Sequence, residues 1–277
     1  MSIAHAPAAA RLEQLESGGM QMRDTTLRAA TEPEAQARLA AAAAEATTAL
    51  ESATAGEILA WAAATIPNFV VTSSFGIDSV VLLHLVATHA PGTPVVFLDT
   101  GLHFPETIAY RDTLTDLLDL DVVTIRSPLA VQAQERLMGA RLFARDADTC
   151  CRLRKGLPLE AALAGADGWA TGVRRGQTPS RASTPVVGTA RKGDRLLVKV
   201  APLASWSADQ LAGHRASLGL PDHPLEAHGY RSVGCEPCTR PVEPDEDPRA
   251  GRWAHEPDRT ECGIHVDAEL GVVRTRR

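Results

Sequence analysis

At 277 residues, with 44% hydrophobic and 22% charged residues, the chain has material for one sizeable core and is not the composition of a disordered polymer. Its 28 basic against 34 acidic residues leave a formal net charge of −6, which excludes a global positive field for nucleic acid or an anionic membrane surface. No apolar run approaches the ~18 residues of a membrane span, and the N-terminus lacks the basic-then-apolar pattern of a secretory signal, so the expected compartment is the cytoplasm.

Residues 1–50 are rich in Ala, Glu, Gln, Arg and Thr, with Ala40 to Ala44 uninterrupted. This segment reads as a flexible or helical extension able to bury little. From Asn68 the pattern changes to apolar runs of strand length, each followed by a turn signal and a helix-length segment. "NFVVTSSFGIDSVVLLHLVATHA" gives strand, loop and helix, and "TPVVFLDTGLHFPETIAYRDTLTDLL" repeats the order. "DVVTIRS" supplies a third strand and "GWATGVRRGQ" a fourth ending on a basic turn. Alternating strands and helices predict an α/β domain over 51–221, with a parallel sheet covered on both faces and ligands at the carboxyl ends of the strands. Residues 222–277 are rich in Gly, Pro, Cys and charge, and are expected to form an irregular, mobile C-terminal segment that packs on the domain or moves over its site.

In "TSSFGIDSVVLLHL", Ser74 and Gly76 join a strand to a helix whose first turn holds Asp78 and Ser79. Small residues let backbone amides approach an anion, and a helix N-terminus favours negative charge, so the loop is a candidate phosphate or sulfate cradle. It resembles the Ser-Gly-Gly-x-Asp-Ser loop of the adenine-nucleotide α-hydrolases, with Phe75 interrupting the double glycine. In that superfamily the next strand end lies beside the adenosine, which makes Leu98, Asp99, Thr100 and Gly101 candidate walls of the nucleotide site. Asp99 is equally suited to a turn or helix cap.

The five cysteines are Cys150, Cys151, Cys235, Cys238 and Cys262. Four thiolates from two distant places can close a zinc site, supply an iron–sulfur cluster or form disulfides, and spacing alone leaves these open. An adjacent pair is an unusual half-site for structural zinc. "CCRLRK", "GCEPCTRP", and "RAGRW" followed by "ECGIH" together resemble the bacterial assimilatory adenylyl-sulfate reductases. The resemblance runs in order from about Phe69 to His265. It implies one [4Fe-4S] cluster on Cys150, Cys151, Cys235 and Cys238, adenosine 5′-phosphosulfate as substrate and reduced thioredoxin as partner. It implies Cys262 as nucleophile, with His265 beside it. It also implies substrate contacts from Lys155, from one of Arg174 and Arg175, and from Arg249 and Arg252. No nucleic-acid or membrane partner is expected, and homo-oligomerisation is left open.

Three other readings compete. A phosphoadenylyl-sulfate reductase shares the nucleotide loop and the Glu-Cys-Gly-x-His end but generally lacks the cysteine pairs. A tRNA-thiolating α-hydrolase would consume ATP, and a zinc-binding module would not need Cys262.

Overall fold

The computed structural model describes residues 33–192, 195–256, 259 and 261. Six strands form one sheet: β1 (Phe69–Ser73), β2 (Val95–Asp99), β3 (Val122–Arg126), β4 (Gly168–Thr171), β5 (Val187–Lys192) and β6 (Arg195–Val200). Their order is β3-β2-β1-β4-β6-β5. The first five in that order run parallel, and β5 pairs antiparallel with β6 at the edge.

Alternation along each strand divides its apolar side chains between two faces. Phe69, Val71, Val95, Phe97, Ala170, Val198 and Val200 join the larger core. It is completed by α1 (Pro33–Ala49), α2 (Ala55–Thr65), α3 (Ser79–His89), α4 (Pro105–Leu118) and α9 (Ala208–Ser217). The other face carries Val70, Val96, Trp169 and Leu197, packed with Leu159 and Leu163 from α8 (Leu157–Ala162) and the residue after it. Both faces are covered, which is why β1, β2 and β4 read as apolar runs rather than as clean alternation.

Helix α1 does more than its alanine-rich sequence implies. Leu39, Ala43 and Ala46 are buried, Leu196 N–H donates to Gln36 Oε1 at 2.8 Å, and Thr47 Oγ1 donates to Val187 O at 2.8 Å. The helix from Pro33 onward therefore packs over β5 and β6.

Between β3 and β4 run α5 (Val131–Met138), α6 (Leu142–Arg145) and α7 (Ala147–Cys151). A π-helical turn over Arg152–Gly156 follows, then α8. Leu157 N–H donates to Arg152 O, five residues back, and Pro158 has no N–H with which to restore the tighter register. Residues 222–256 form short turns that lie against the domain. Leu225, Val233, Cys235, Val242 and Trp253 are buried there, and the segment is tied down by single bridges of His103 with Cys235 and Thr239 with Arg252. Gly251 allows this fold-back, because a Cβ there would meet the Arg240 carbonyl. Of the irregular, mobile segment expected over 222–277, residues 222–256, 259 and 261 are described and the rest, with Cys262, lie outside the described residues.

Candidate active site

The strand order reverses between β1 and β4, and the crevice outside their carboxyl ends is where such sheets bind ligands. A cavity of about 230 Å³ opens there. It extends down the less covered face, where Thr72, Val96, Leu98, Trp169, Thr171 and Lys199 line it.

The loop after β1 brings Ser74, Gly76, Asp78 and Ser79 to this cavity. Phe75 adopts the left-handed backbone a glycine would favour, with φ 48°. Its ring is fully buried and meets Phe97 edge-on at 5.5 Å, so packing holds the strained residue. Arg174, at the end of β4, donates through Nη2 to Asp78 at 2.7 Å and is itself buried. That bridge fastens the loop to the opposite side of the crevice. Arg175 faces the other way and forks onto Glu51 at 2.6 and 3.0 Å; neither arginine lines the cavity. This hydrogen-bonded guanidinium holds the Glu51 carboxyl below its usual value.

At the end of β2, Leu98 and Thr100 line the cavity, while Asp99 and Gly101 do not. Asp99 accepts from Gly101 N–H at 2.9 Å and from Arg126 Nε at 2.8 Å. Burial opposes its ionisation, but these donors outweigh it and its carboxyl lies below the ordinary value. Asp99 thus braces the turn, the role its position after the strand also allowed.

Cys150, Cys151, Cys235 and Cys238 line one small neighbouring cavity with Leu102, Arg154 and Trp253, and none of the four is in a disulfide. Among the described residues, no group of three or more His, Cys, Asp or Glu converges so as to hold a metal ion. The four thiols share that cavity, and four thiols are a donor set that zinc or an iron–sulfur cluster uses. Burial, reinforced by the neighbouring sulfurs, pushes Cys150 up to about 12. Burial with Cys235 does the same to Cys238, raising it to about 12 against the pull of Lys155. Thiols raised in this way ionise more readily beside bound positive charge, which is the chemistry that metal ligation by Cys150 and Cys238 would supply.

The two cavities share Lys155, Cys235, Arg252 and Trp253. Thr100 Oγ1 lies 3.4 Å from Cys235 Sγ, and Trp253 N–H donates to Cys238 O at 2.8 Å. The Trp253 ring, buried with its backbone at φ 51°, carries the guanidinium carbons of Arg252 and Arg249 at 4.9 and 5.8 Å. Arg249 and Arg252 both reach the nucleotide-sized cavity. Its mouth is thus cationic in a chain of net charge −6, which is what a dianionic ligand requires.

A model of the phosphoadenosine phosphosulfate reductase domain matches residues 68–241. The chain belongs to this family. It is 48% identical over 217 residues to the adenosine 5′-phosphosulfate reductase of Streptomyces coelicolor, covering 78% of this chain and 90% of that one. It is 42% identical to the enzyme of the same name from Mycolicibacterium smegmatis over 218 residues, again 78% and 90% of the two chains. The crystal structure of phosphoadenylyl-sulfate reductase from Candida auris superposes with a TM-score of 0.63 at 23% identity, covering 72% of this chain and 96% of that chain, which shows the fold. The family match ends before Arg249, Arg252 and Cys262.

Several lining residues escape a sequence reading. Arg181, Gln177, His103, Lys199 and Glu261 line the cavity, yet each looks like an ordinary surface residue in the linear chain. Arg181 and Gln177 stand in the basic stretch "RRGQTPSR", whose density of cations was the available signal. Cys262 and His265 lie outside the described residues. Glu261, the residue before Cys262, is in the cavity wall.

Proposed function

We propose that this reductase takes adenosine 5′-phosphosulfate to sulfite and AMP, with Cys262 as nucleophile and thioredoxin as reductant. The observation that carries the reading is the sharing of Lys155, Cys235, Arg252 and Trp253 between a nucleotide-sized cavity and a four-cysteine cavity. The names of the similar Streptomyces and Mycolicibacterium proteins support the substrate without a 3′-phosphate.

In this reading the loop from Ser74 to Ser79 with Leu98 and Thr100 seats the nucleotide, and Arg174 holds Asp78 in place. Lys155, Arg249 and Arg252 neutralise the phosphosulfate and the AMP that departs. The Cys262 thiolate attacks the sulfate sulfur, a sulfur–sulfur bond forms, and the bond from sulfur to the phosphate oxygen breaks. AMP leaves and Cys262 carries a sulfo group. One thioredoxin thiolate then attacks Cys262 Sγ and expels sulfite, and the second thioredoxin thiol resolves the mixed disulfide. The two thioredoxin thiols supply both electrons. His265 and the nearby arginines would favour the Cys262 thiolate over the thiol.

Cys150, Cys151, Cys235 and Cys238 would hold a [4Fe-4S] cluster, which when bound supplies a fixed structural and electrostatic centre joining α7 to the Cys235–Cys238 turn. The donor set supports this reading, because Cys150 and Cys238, each pushed up to about 12, share one cavity with Cys151 and Cys235 and ionise more readily beside bound positive charge.

The test is anaerobic purification, iron analysis and a sulfite-release assay with thioredoxin and each of the two adenylated sulfates. About four irons per chain, sulfite release, preference for the substrate without a 3′-phosphate and loss of turnover in Cys262→Ser are expected. A colourless protein releasing no sulfite would overturn the proposal.

A further inference from the structure

The last described residues, Arg259 and Glu261, are tied to the domain by ion pairs with Asp148 and Arg181. Arg181 ends the 3-10 turn Pro179–Arg181 and donates through Nε and Nη2 to the two carboxylate oxygens of Glu261, each at 2.6 Å. The two side chains are only 10% and 11% exposed. Thr178 Oγ1 donates to the same carboxylate at 3.0 Å, and Arg181 Nη1 donates to Gln177 Oε1. Two residues earlier, Arg259 pairs with Asp148 at 2.7 Å, on the helix that carries Cys150 and Cys151.

We propose that Arg181 is a positioning residue: it clamps Glu261 and so fixes how the next residue, Cys262, meets the cavity. The inference rests on the assignment of Cys262 as nucleophile. A planar guanidinium forked onto a carboxylate fixes orientation as well as distance, which a single ammonium contact does not. Burial keeps the pair from being screened by salt. Successive Cα atoms are ~3.8 Å apart, so anchoring Glu261 limits the reach of the side chain that follows. Glu261 and Arg181 both line the cavity, which puts the clamp beside the ligand rather than behind it. The carboxylate neutralises Arg181 where both line the cavity. Arg259 on Asp148 secures the same stretch from the cysteine side.

The experiment uses the full-length, cluster-loaded protein as wild type, Arg181→Met, Arg181→Lys, Glu261→Gln and the Arg181→Met/Glu261→Gln double variant. Cleavage after Arg259 and Arg274 releases a peptide in which Cys262 is the only cysteine, so mass spectrometry reads that residue alone. Three quantities are measured: iodoacetamide alkylation of Cys262 without substrate, its single-turnover sulfo adduct with adenosine 5′-phosphosulfate, and the dissociation constant of that substrate.

Arg181→Met and Glu261→Gln are each expected to slow adduct formation by about tenfold or more. Both should speed alkylation, while substrate affinity stays within about twofold. The double variant is expected to be no worse than the worse single, and Arg181→Lys to recover only part of the rate because it keeps the charge and loses the fork. Should Arg181→Met fail to fold, Glu261→Gln carries the test, since it leaves the sheet and its loops untouched. Unchanged adduct formation in Glu261→Gln overturns the clamp. So does tighter substrate binding in that variant, which would make Glu261 a plug in an anion seat. Absence of any adduct in the wild type refutes the nucleophile assignment instead, and unchanged alkylation rates would then reject the clamp on their own.

Discussion

At the scale of single residues, two buried side chains show how the site is held in shape. Phe75 keeps a left-handed backbone in the nucleotide loop at φ 48°, which costs about 1–2 kcal/mol for a residue with a Cβ. Its ring is fully buried, and removing such an aromatic costs about 3–5 kcal/mol. The packing term wins, so Phe75→Gly is expected to lose roughly 1–4 kcal/mol despite relieving the strain. Denaturant titration checks this, and a gain in stability would mean that strain dominates. His223 is the second case. Leu225 N–H donates to its Nδ1 at 3.2 Å, so the neutral ring carries its proton on Nε2 and donates to Thr107 Oγ1 at 3.2 Å. Burial depresses its pKa to about 4 from an ordinary 6.5, with Glu106 opposing. A base depressed in the fold stabilises the fold fully above about 6.5, and that contribution falls away as the pH drops towards about 4, a shift amounting to about 3 kcal/mol. Thermal midpoints of the wild type should therefore fall through this window, and those of His223→Gln should fall less.

At the scale of elements, the strand-to-helix loop and the cysteine helix were legible in sequence to different degrees. The β1 loop and the strand ends could be read because Ser74, Gly76 and Leu98 to Gly101 sit where an apolar run stops. That Arg174 pairs with Asp78 of the loop and Arg175 with Glu51, and that neither lines the cavity, could not be read, because only the partners in the fold decide it. Arg174→Met is expected to raise the KM for substrate on the order of tenfold with a smaller effect on kcat, since it frees Asp78 without touching the thiol. Steady-state kinetics separate the two, and an effect on kcat alone would argue against a loop-fastening role. The cysteine pairs were legible as a donor set. The π-helical turn after them was not, because it arises from the missing N–H of Pro158 acting on a helix already anchored at Asp146, which accepts from Thr149 N–H at 3.0 Å. Cys238→Ser removes one donor from the smaller cavity and is expected to abolish bound iron as measured on the purified protein.

At the scale of the whole molecule, β1 to β4 were readable as apolar runs ending on turn signals, and the antiparallel pair β5 and β6 was not. Val95 to Phe97 announce themselves, whereas "VGTARK" over β5 has one buried residue, Val187, and then alternates between half-buried and exposed positions at an antiparallel edge. Helix α1 shares that edge, and its alanines conceal the contact because a small side chain buries little area while still allowing close approach. The consequence is testable by deleting residues 1–50 from the full chain. Leu39 is 6% exposed, and burying a leucine contributes about 1.5–3 kcal/mol. Ala43 and Ala46 add to it, and the bonds from Leu196 to Gln36 and from Thr47 to Val187 would also be lost. The bonded β5–β6 edge lies on the far side of β4 from the nucleotide loop, so the deletion is expected to lower the thermal midpoint by several degrees while leaving substrate affinity nearly unchanged. A midpoint equal to that of the full chain would show that α1 rests on the sheet without stabilising it. A large loss of affinity with an unchanged midpoint would place the N-terminal segment in the site, against the geometry of the sheet.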